Sequence, residues 1–201
     1  PKEVYPAHFS NLEATHIAPK ILRELLTLVS QFSDIVAKDS FDIGSCSLVK
    51  LSIDTGSSRP TFEKVRQVRQ HHVKAVEQIL TDLQQSNIIR PCSSPYGTNI
   101  VIVPKPDDSI RICVDYRKLN DITIHNSQHP IPPIEDHLHK LRNAKFKSNL
   151  DLTQAYSSIP VAEESQLKTA FFALGKQYCY NRTPFGLKEA PSMWNFLMAT
   201  I

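Results

Sequence analysis

Residues 148–161, SNLDLTQAYSSIPV, put an acid, Asp151, at the end of an alternating segment and an aromatic, Tyr156, five residues beyond it. The alternation predicts a half-buried strand. Phe146, Ser148 and Leu150 fall on one face and Lys147, Asn149 and Asp151 on the other, because successive strand side chains point to opposite sides. The acid therefore lies on the polar face. A carboxylate fixed at a strand terminus can hold a divalent ion, and a ring close behind it can wall a pocket beside that ion. The pairing suggests a nucleotide-handling site. Taken alone, a strand-end aspartate is usually a turn former or the cap of the next helix, so the neighbouring segments have to decide.

With 201 residues, 41% hydrophobic and 21% charged, the chain can bury a real core and falls in the range of one globular domain with an appendage. Lysine and arginine exceed aspartate and glutamate by only 23 to 20, so the net charge of +3 gives weak support for a polyanionic partner. Distribution matters more: Lys64, Arg66, Arg69, Lys74 and Arg90 bracket one expected helix, and Lys140, Arg142, Lys145 and Lys147 precede Asp151. Each cluster fits a solvated helix face or a phosphate-tracking surface. Cys46, Cys92, Cys113 and Cys179 are scattered, with no Cys-x-x-Cys and no signal peptide, so reduced thiols in an intracellular, non-secreted protein are expected. No apolar run reaches the about 18 residues that a membrane span needs. His71 with His72, His125 with His129, and His137 with His139 form pairs, but none belongs to a His-Glu-x-x-His motif or has a cysteine nearby. They read as surface or turn histidines rather than zinc ligands.

Along the chain, residues 1–20 lack periodicity, carry Pro1, Pro6 and Pro19, and read as a linker or tail. Ile21, Leu22, Leu25, Leu26 and Val29 predict a short amphipathic helix, and LVKLSI at 48–53 is strand-like. Val73, Val76, Leu80 and Leu83 predict a second helix over roughly 61–86, followed by the strand-like IIR. Residues 99–115 predict a hairpin: NIVIV, a turn around PKPDDS, then IRICVD. Beyond HPIPP at 129–133 come a helix through Ile134, Leu138 and Leu141 and the strand bearing Asp151. TAFFAL and QYCYNR meet across Gly175 and Lys176, a spacing suited to a tight turn. APSMWNFLMATI forms the last helix, with Pro191 near its first turn. It ends in uncharged, apolar residues with no cap, so a polypeptide cut inside a domain is expected.

Three further segments stand in fixed order around LDLTQAY: VPKPDDSIRICVDYRKLN at 103–120, LKTAFFAL at 167–174 and TPFGLKEAPSMWNFLM at 183–198. Together they resemble the reverse transcriptases, RNA-directed DNA polymerases, of gypsy-type long-terminal-repeat retrotransposons. The likeness extends upstream through IDTGSSRP at 53–60 and SNIIRPCSSPYGTNIVIV at 86–103, covering roughly three quarters of the chain. It implies an α+β fold: the fingers and partial palm of a right-hand polymerase, antiparallel sheets with packed helices, and no thumb. Residues 1–58 are then an N-terminal extension or linker with one helix, and 59–201 an incomplete reverse transcriptase domain. Within it, 59–133 are fingers, 134–157 palm, 158–183 fingers and 184–201 the start of a second palm segment.

Nucleotide polymerisation uses two divalent cations about 3.5–4 Å apart. In the family one carboxylate comes from the strand matched by Asp151, and the backbone carbonyl matched by Leu152 also serves a metal. The implied cofactor is Mg²⁺, two ions in the complete enzyme. A pair of acids comes from a later Tyr-x-Asp-Asp hairpin, whereas after Asp151 this sequence has only Glu163, Glu164 and Glu189. A fragment inactive alone is therefore expected. Tyr156 resembles the residue whose ring lies under the nucleotide sugar and excludes a 2′-hydroxyl, a steric gate. Lys105 and Arg111 match two basic fingers residues that grip the triphosphate. Asp115, Tyr116 and Arg117 are expected to stabilise the fingers. Phe185 and Gly186 stand where some relatives have Gln-Gly, a nucleotide-contacting pair. Gypsy-type enzymes often have Phe-Gly, so the departure narrows the subfamily. Pro184, Pro191 and Trp194 are expected to shape and pack the last helix.

The implied partners are an RNA or DNA template with primer, deoxynucleoside triphosphates, and the remaining palm, thumb and ribonuclease H of a polyprotein. No membrane is implied, and a cytoplasmic particle or the nucleus is the expected location. A non-catalytic nucleic-acid-binding or assembly remnant of such an element is the alternative. The Asp-Thr-Gly at 54–56 has the form of an aspartic protease motif. With no later apolar-apolar-Gly segment to support it, Asp54 reads as a turn residue.

Overall fold

The computed structural model describes residues 18–39, 41–106, 109–125, 133–145 and 151–200, without the side chain of His137. The strand expected over 146–150 lies outside the described residues, as does the turn tip at 107–108.

The β-branched run after Gly97 forms β2 (Thr98–Pro104), which turns back as β3 (Ile110–Val114). Their antiparallel register pairs Ile100 with Val114 and Val103 with Arg111, as the alternation predicts. On the other edge of β2, β4 (Phe171–Ala173) runs parallel to it, with Thr98 beside Phe171. Strand β5 (Lys176–Tyr180) pairs antiparallel with β4 and carries β1 (Ile89–Pro91) on its far side. The result is one five-stranded mixed sheet in the order β1-β5-β4-β2-β3. Ala173 pairs with Lys176, so the β4–β5 turn is Leu174–Gly175, one residue earlier than expected. Both turn residues have positive φ, 50° and 75°, the geometry of a two-residue hairpin turn that follows the strand twist.

Helix α1 (Pro19–Gln31) forms where its periodicity predicts but buries none of its residues. Helix α2 (Val73–Gln85) follows a single 3₁₀ turn, Gln70–His72, and buries Val76 and Leu80, one helical turn apart. It is shorter than the expected 61–86, because residues 61–69 form no helix and Phe62 instead bridges Gly97 in parallel. The sheet competes successfully for that backbone. Gly97 N–H donates to the Thr61 carbonyl at 2.9 Å, Glu63 N–H donates to the Gly97 carbonyl at 2.8 Å, and Asn99 Oδ1 accepts from Arg66 N–H at 2.8 Å. Gly97 permits the close approach: a Cβ there would lie 2.4 Å from the Phe172 ring.

The LVKLSI segment likewise forms no regular strand. It lies extended against 160–162, where Leu51 bridges Val161 in parallel, Leu51 N–H donates to the Pro160 carbonyl and Ala162 N–H to the Leu51 carbonyl, both at 2.8 Å. Its alternation survives as burial: Leu51, Ile53 and Thr55 are inside, and Ser52 and Asp54 outside. Leu51, Val76, Ile89, Ile159 and Phe171 are the largest fully buried apolar side chains and centre the core on β1, β4 and β5. The Phe171 ring lies 5.7 Å from Tyr178 and 5.3 Å from Tyr180. All four cysteines are free thiols, and burial pushes Cys92 up to about 12, which leaves it a poor nucleophile.

Three short helices occur after the hairpin: α3 (Arg117–Ile122), α4 (Ile134–Leu141), whose described side chains are exposed, and α5 (Glu163–Gln166). Helix α6 (Ala190–Thr200) comes last, with Ala190, Ser192 and Leu197 buried.

Candidate nucleotide site

Asp151 and Leu152 lie on an exposed, irregular segment. Gln154 then adopts the left-handed conformation at φ 47°, and the chain enters a 3₁₀ helix, Ala155–Ser158. That helix is fixed at its base. Ser157 N–H donates to the Gln154 carbonyl at 2.8 Å, and the buried Thr183 donates to the Ile159 carbonyl through both N–H and Oγ1, each at 2.9 Å. The two segments are thereby held side by side, and their aromatic rings meet. Tyr156, half-buried, stands edge-on to Phe185 at 5.3 Å and 75°, and to Trp194 of α6 at 6.2 Å and 89°. Phe185 is 61% exposed and offers its free face to solvent. Gly186 turns the chain at φ 93°, a value an L side chain rarely adopts.

Tyr156 and the Phe185–Gly186 turn, far apart in the sequence, are thus brought together through the Tyr156 and Phe185 rings, with Asp151 and Leu152 shortly before Tyr156 along the chain. Lys105 and Arg111 sit elsewhere, exposed at the open end of the β2–β3 hairpin, which Lys105 N–H closes by donating to the Ser109 carbonyl at 2.8 Å. Arg111 is cross-strand from Val103.

The three residues after β3 make structural contacts. Arg117 donates to Asp115 through Nε at 2.8 Å and Nη2 at 2.6 Å. This guanidinium holds the Asp115 carboxyl down at about 2. Tyr116, buried, donates its hydroxyl to the Thr169 carbonyl at 2.9 Å. Asp54 accepts from Gly56 N–H at 2.8 Å, a local turn rather than a paired protease carboxylate. The imidazoles of His71 and His72 approach with Nε2 atoms 3.0 Å apart, and desolvation lowers the His72 pKa. Among the described residues no group of three or more His, Cys, Asp or Glu could hold a metal ion. Asp151 and the Leu152 carbonyl are hard oxygen donors on an exposed segment, which fits part of a Mg²⁺ site. Mg²⁺ usually takes one or two carboxylates, with substrate phosphates and water filling the rest.

Sequence reasoning missed two residues that build this site. Asn120 of α3 bonds the turn after Phe185 on both sides, at Gly186 and Lys188. Glu189, buried beside the start of α6, pairs with His125 Nδ1 at 2.5 Å. Nothing in their local sequence announces partners more than 60 residues away.

The five-stranded mixed sheet with its packed helices is an α+β fold of the kind found in part of a polymerase domain. Residues 103–201 match the family model for reverse transcriptase (RNA-dependent DNA polymerase), and this part of the chain belongs to that family. The chain is 31% identical over 96% of its length to the Pol polyprotein of transposon 297 from Drosophila melanogaster, and 35% identical over 94% to that of transposon opus from the same species. It spans 19% of the length of each, about a fifth. Among solved structures it resembles the prototype foamy virus protease-reverse transcriptase, with a TM-score of 0.83 at 24% identity over 92% of this chain and 25% of that one. A foamy viral protease-reverse transcriptase in complex with an RNA/DNA hybrid aligns with a TM-score of 0.79 over the same share of each chain. Among the described residues no helix is long and apolar enough to cross a membrane.

Proposed function

We propose that this chain is the part of a retrotransposon RNA-directed DNA polymerase that receives the incoming deoxynucleoside triphosphate beside a template-primer duplex. The observation that carries the reading is the ring of Tyr156, set edge-on against Phe185 and Trp194 directly after the exposed Asp151–Leu152 segment. A flat, braced ring there leaves room for deoxyribose and collides with a 2′-hydroxyl. Asp151 and the Leu152 carbonyl would hold Mg²⁺, which when bound neutralises phosphate charge and activates the primer hydroxyl. Lys105 and Arg111 are cations at the end of a hairpin, suited to closing over a triphosphate. Phe185 and Gly186 form the wall behind the sugar. Phenylalanine cannot donate or accept a hydrogen bond there, so it contributes shape and stacking surface. A nucleic-acid partner is supported by two of the similar foamy viral protease-reverse transcriptase structures, one a complex with an RNA/DNA hybrid and one with double-stranded DNA.

The test is Tyr156→Ala in a polymerase polypeptide that carries this chain. The ratio of deoxynucleotide to ribonucleotide incorporation should fall by about tenfold or more, because one steric contact of this kind is worth roughly 1–3 kcal/mol. An unchanged ratio removes the gate assignment.

A further inference from the structure

Asn120 joins the segment carrying Arg111 to the turn carrying Phe185 and Gly186. Its Nδ2 donates to the Gly186 carbonyl at 2.7 Å, and its Oδ1 accepts from the Lys188 backbone N–H at 2.9 Å. These partners fix the amide's orientation, since a carbonyl only accepts and a backbone N–H only donates. The side chain is itself firmly based. Asn120 N–H donates to the Tyr116 carbonyl at 2.7 Å, Tyr116 is anchored to Thr169, and the adjacent Leu119 is 3% exposed. The turn also lies against the end of β3, because a Cβ added at Gly186 would meet Tyr116 Cδ2 and the Val114 carbonyl oxygen at 3.7 Å. Lys188 Nζ adds a bond to the Thr123 carbonyl at 3.2 Å. Phe185, immediately before the held carbonyl, is mostly exposed and has the Tyr156 ring as its aromatic neighbour.

We propose that Asn120 is a positioning residue for the deoxynucleoside triphosphate. It sets the Phe185–Gly186 turn on the corner between β3 and α3, and through Phe185 it fixes the angle of the Tyr156 ring. The proposal rests on the reading of Tyr156 and Phe185 as the nucleotide wall. It makes one side chain the link between the triphosphate-side hairpin and the sugar-side aromatics.

Two substitutions separate the possibilities. Asn120→Asp keeps the size and the bond from Lys188 but sets an oxygen against the Gly186 carbonyl, whereas Asn120→Ala removes both bonds. In a polymerase polypeptide carrying this chain, single-nucleotide incorporation on saturating primer-template should show the KM for the deoxynucleotide raised about tenfold in both variants, from two lost hydrogen bonds of ordinary strength in Asn120→Ala and from one lost bond plus oxygen–oxygen repulsion in Asn120→Asp. The kcat should stay within about threefold, and discrimination against ribonucleotides should weaken in parallel. KM does not depend on the fraction of enzyme folded, so partial loss of stability does not imitate this pattern. Should KM and sugar discrimination hold in both Asn120 variants while Tyr156→Ala alters discrimination, the Asn120 proposal is overturned and the site reading survives. No change in any of the three overturns both. Chymotrypsin cleavage after Phe185 in the 201-residue chain provides a second measure, with the buried Phe171 as the reference for global unfolding. Cleavage after Phe185 several-fold faster in Asn120→Ala with cleavage after Phe171 unchanged supports the proposal, and equal rates at Phe185, or both sites accelerated alike, refute it.

Discussion

Replacing Asp115 by Asn tests whether the corner after β3 is held by charge. The carboxylate accepts three hydrogen bonds from Arg117: from the backbone N–H at 3.2 Å, Nε at 2.8 Å and Nη2 at 2.6 Å. Its side chain is 15% exposed and its pKa is lowered from 3.8 to about 2, chiefly by the Arg117 side-chain bond. A depression of that size corresponds to roughly 2–3 kcal/mol at most, since each pKa unit is worth about 1.4 kcal/mol. Arg117 is 85% exposed, so solvent screening brings the expected value nearer to 1 kcal/mol. The folded pKa lies below the unfolded one, so this stabilisation is fully present above about pH 4 and disappears as pH falls through about 2. Urea unfolding of the chain and of Asp115→Asn, followed at pH 7, 4, 3 and 2.5, reads this directly. The variant should be about 1 kcal/mol less stable at neutral pH, with the gap closing across the acid window. A gap that persists unchanged at pH 2.5, or none at pH 7, would refute the charge-based account.

Phe171→Ala should destabilise the fold by about 3–5 kcal/mol in the same denaturation assay, because a buried ring between Tyr178 and Tyr180 leaves a cavity that strands on both sides keep open. A loss under about 1 kcal/mol would mean the core is not centred there. Binding of the polypeptide to an RNA/DNA hybrid should weaken steeply with salt, as counterion release requires, and Lys64→Ala with Arg66→Ala should flatten that slope by about one to two units, as loss of two phosphate contacts from the 61–69 segment implies. An unaltered slope assigns those two cations to solvent.

The sequence made the hairpin β2–β3 and helices α2 and α6 legible, because each carries its own periodicity and its own turn or proline signal. The residues of 61–69 misled. Their pattern continues the helical face of Val73 and Val76, yet Gly97 and Asn99, more than 30 residues downstream, capture their backbone for the sheet edge. The wall of the site was legible only as separate motifs. That Tyr156 meets Phe185 follows from Thr183 and Ile159 sharing hydrogen bonds, a tertiary fact without local signature. Asn120 shows the same limit, being an ordinary helix residue until the Gly186 and Lys188 backbones come to it. Leu174 at φ 50° is a strained choice that no pattern forecasts, since turn preferences point to Gly or Asn at such a position.

Asp151 is proposed to hold a catalytic Mg²⁺ for DNA synthesis. Asp151→Asn in a polymerase polypeptide carrying this chain measures it most directly, through single-turnover incorporation with Mg²⁺ on a preformed template-primer. The rate should fall by more than about a hundredfold, the scale for removing a group that stabilises transition-state charge, with template-primer affinity little altered. Turnover at the unaltered rate with the amide in place would contradict it.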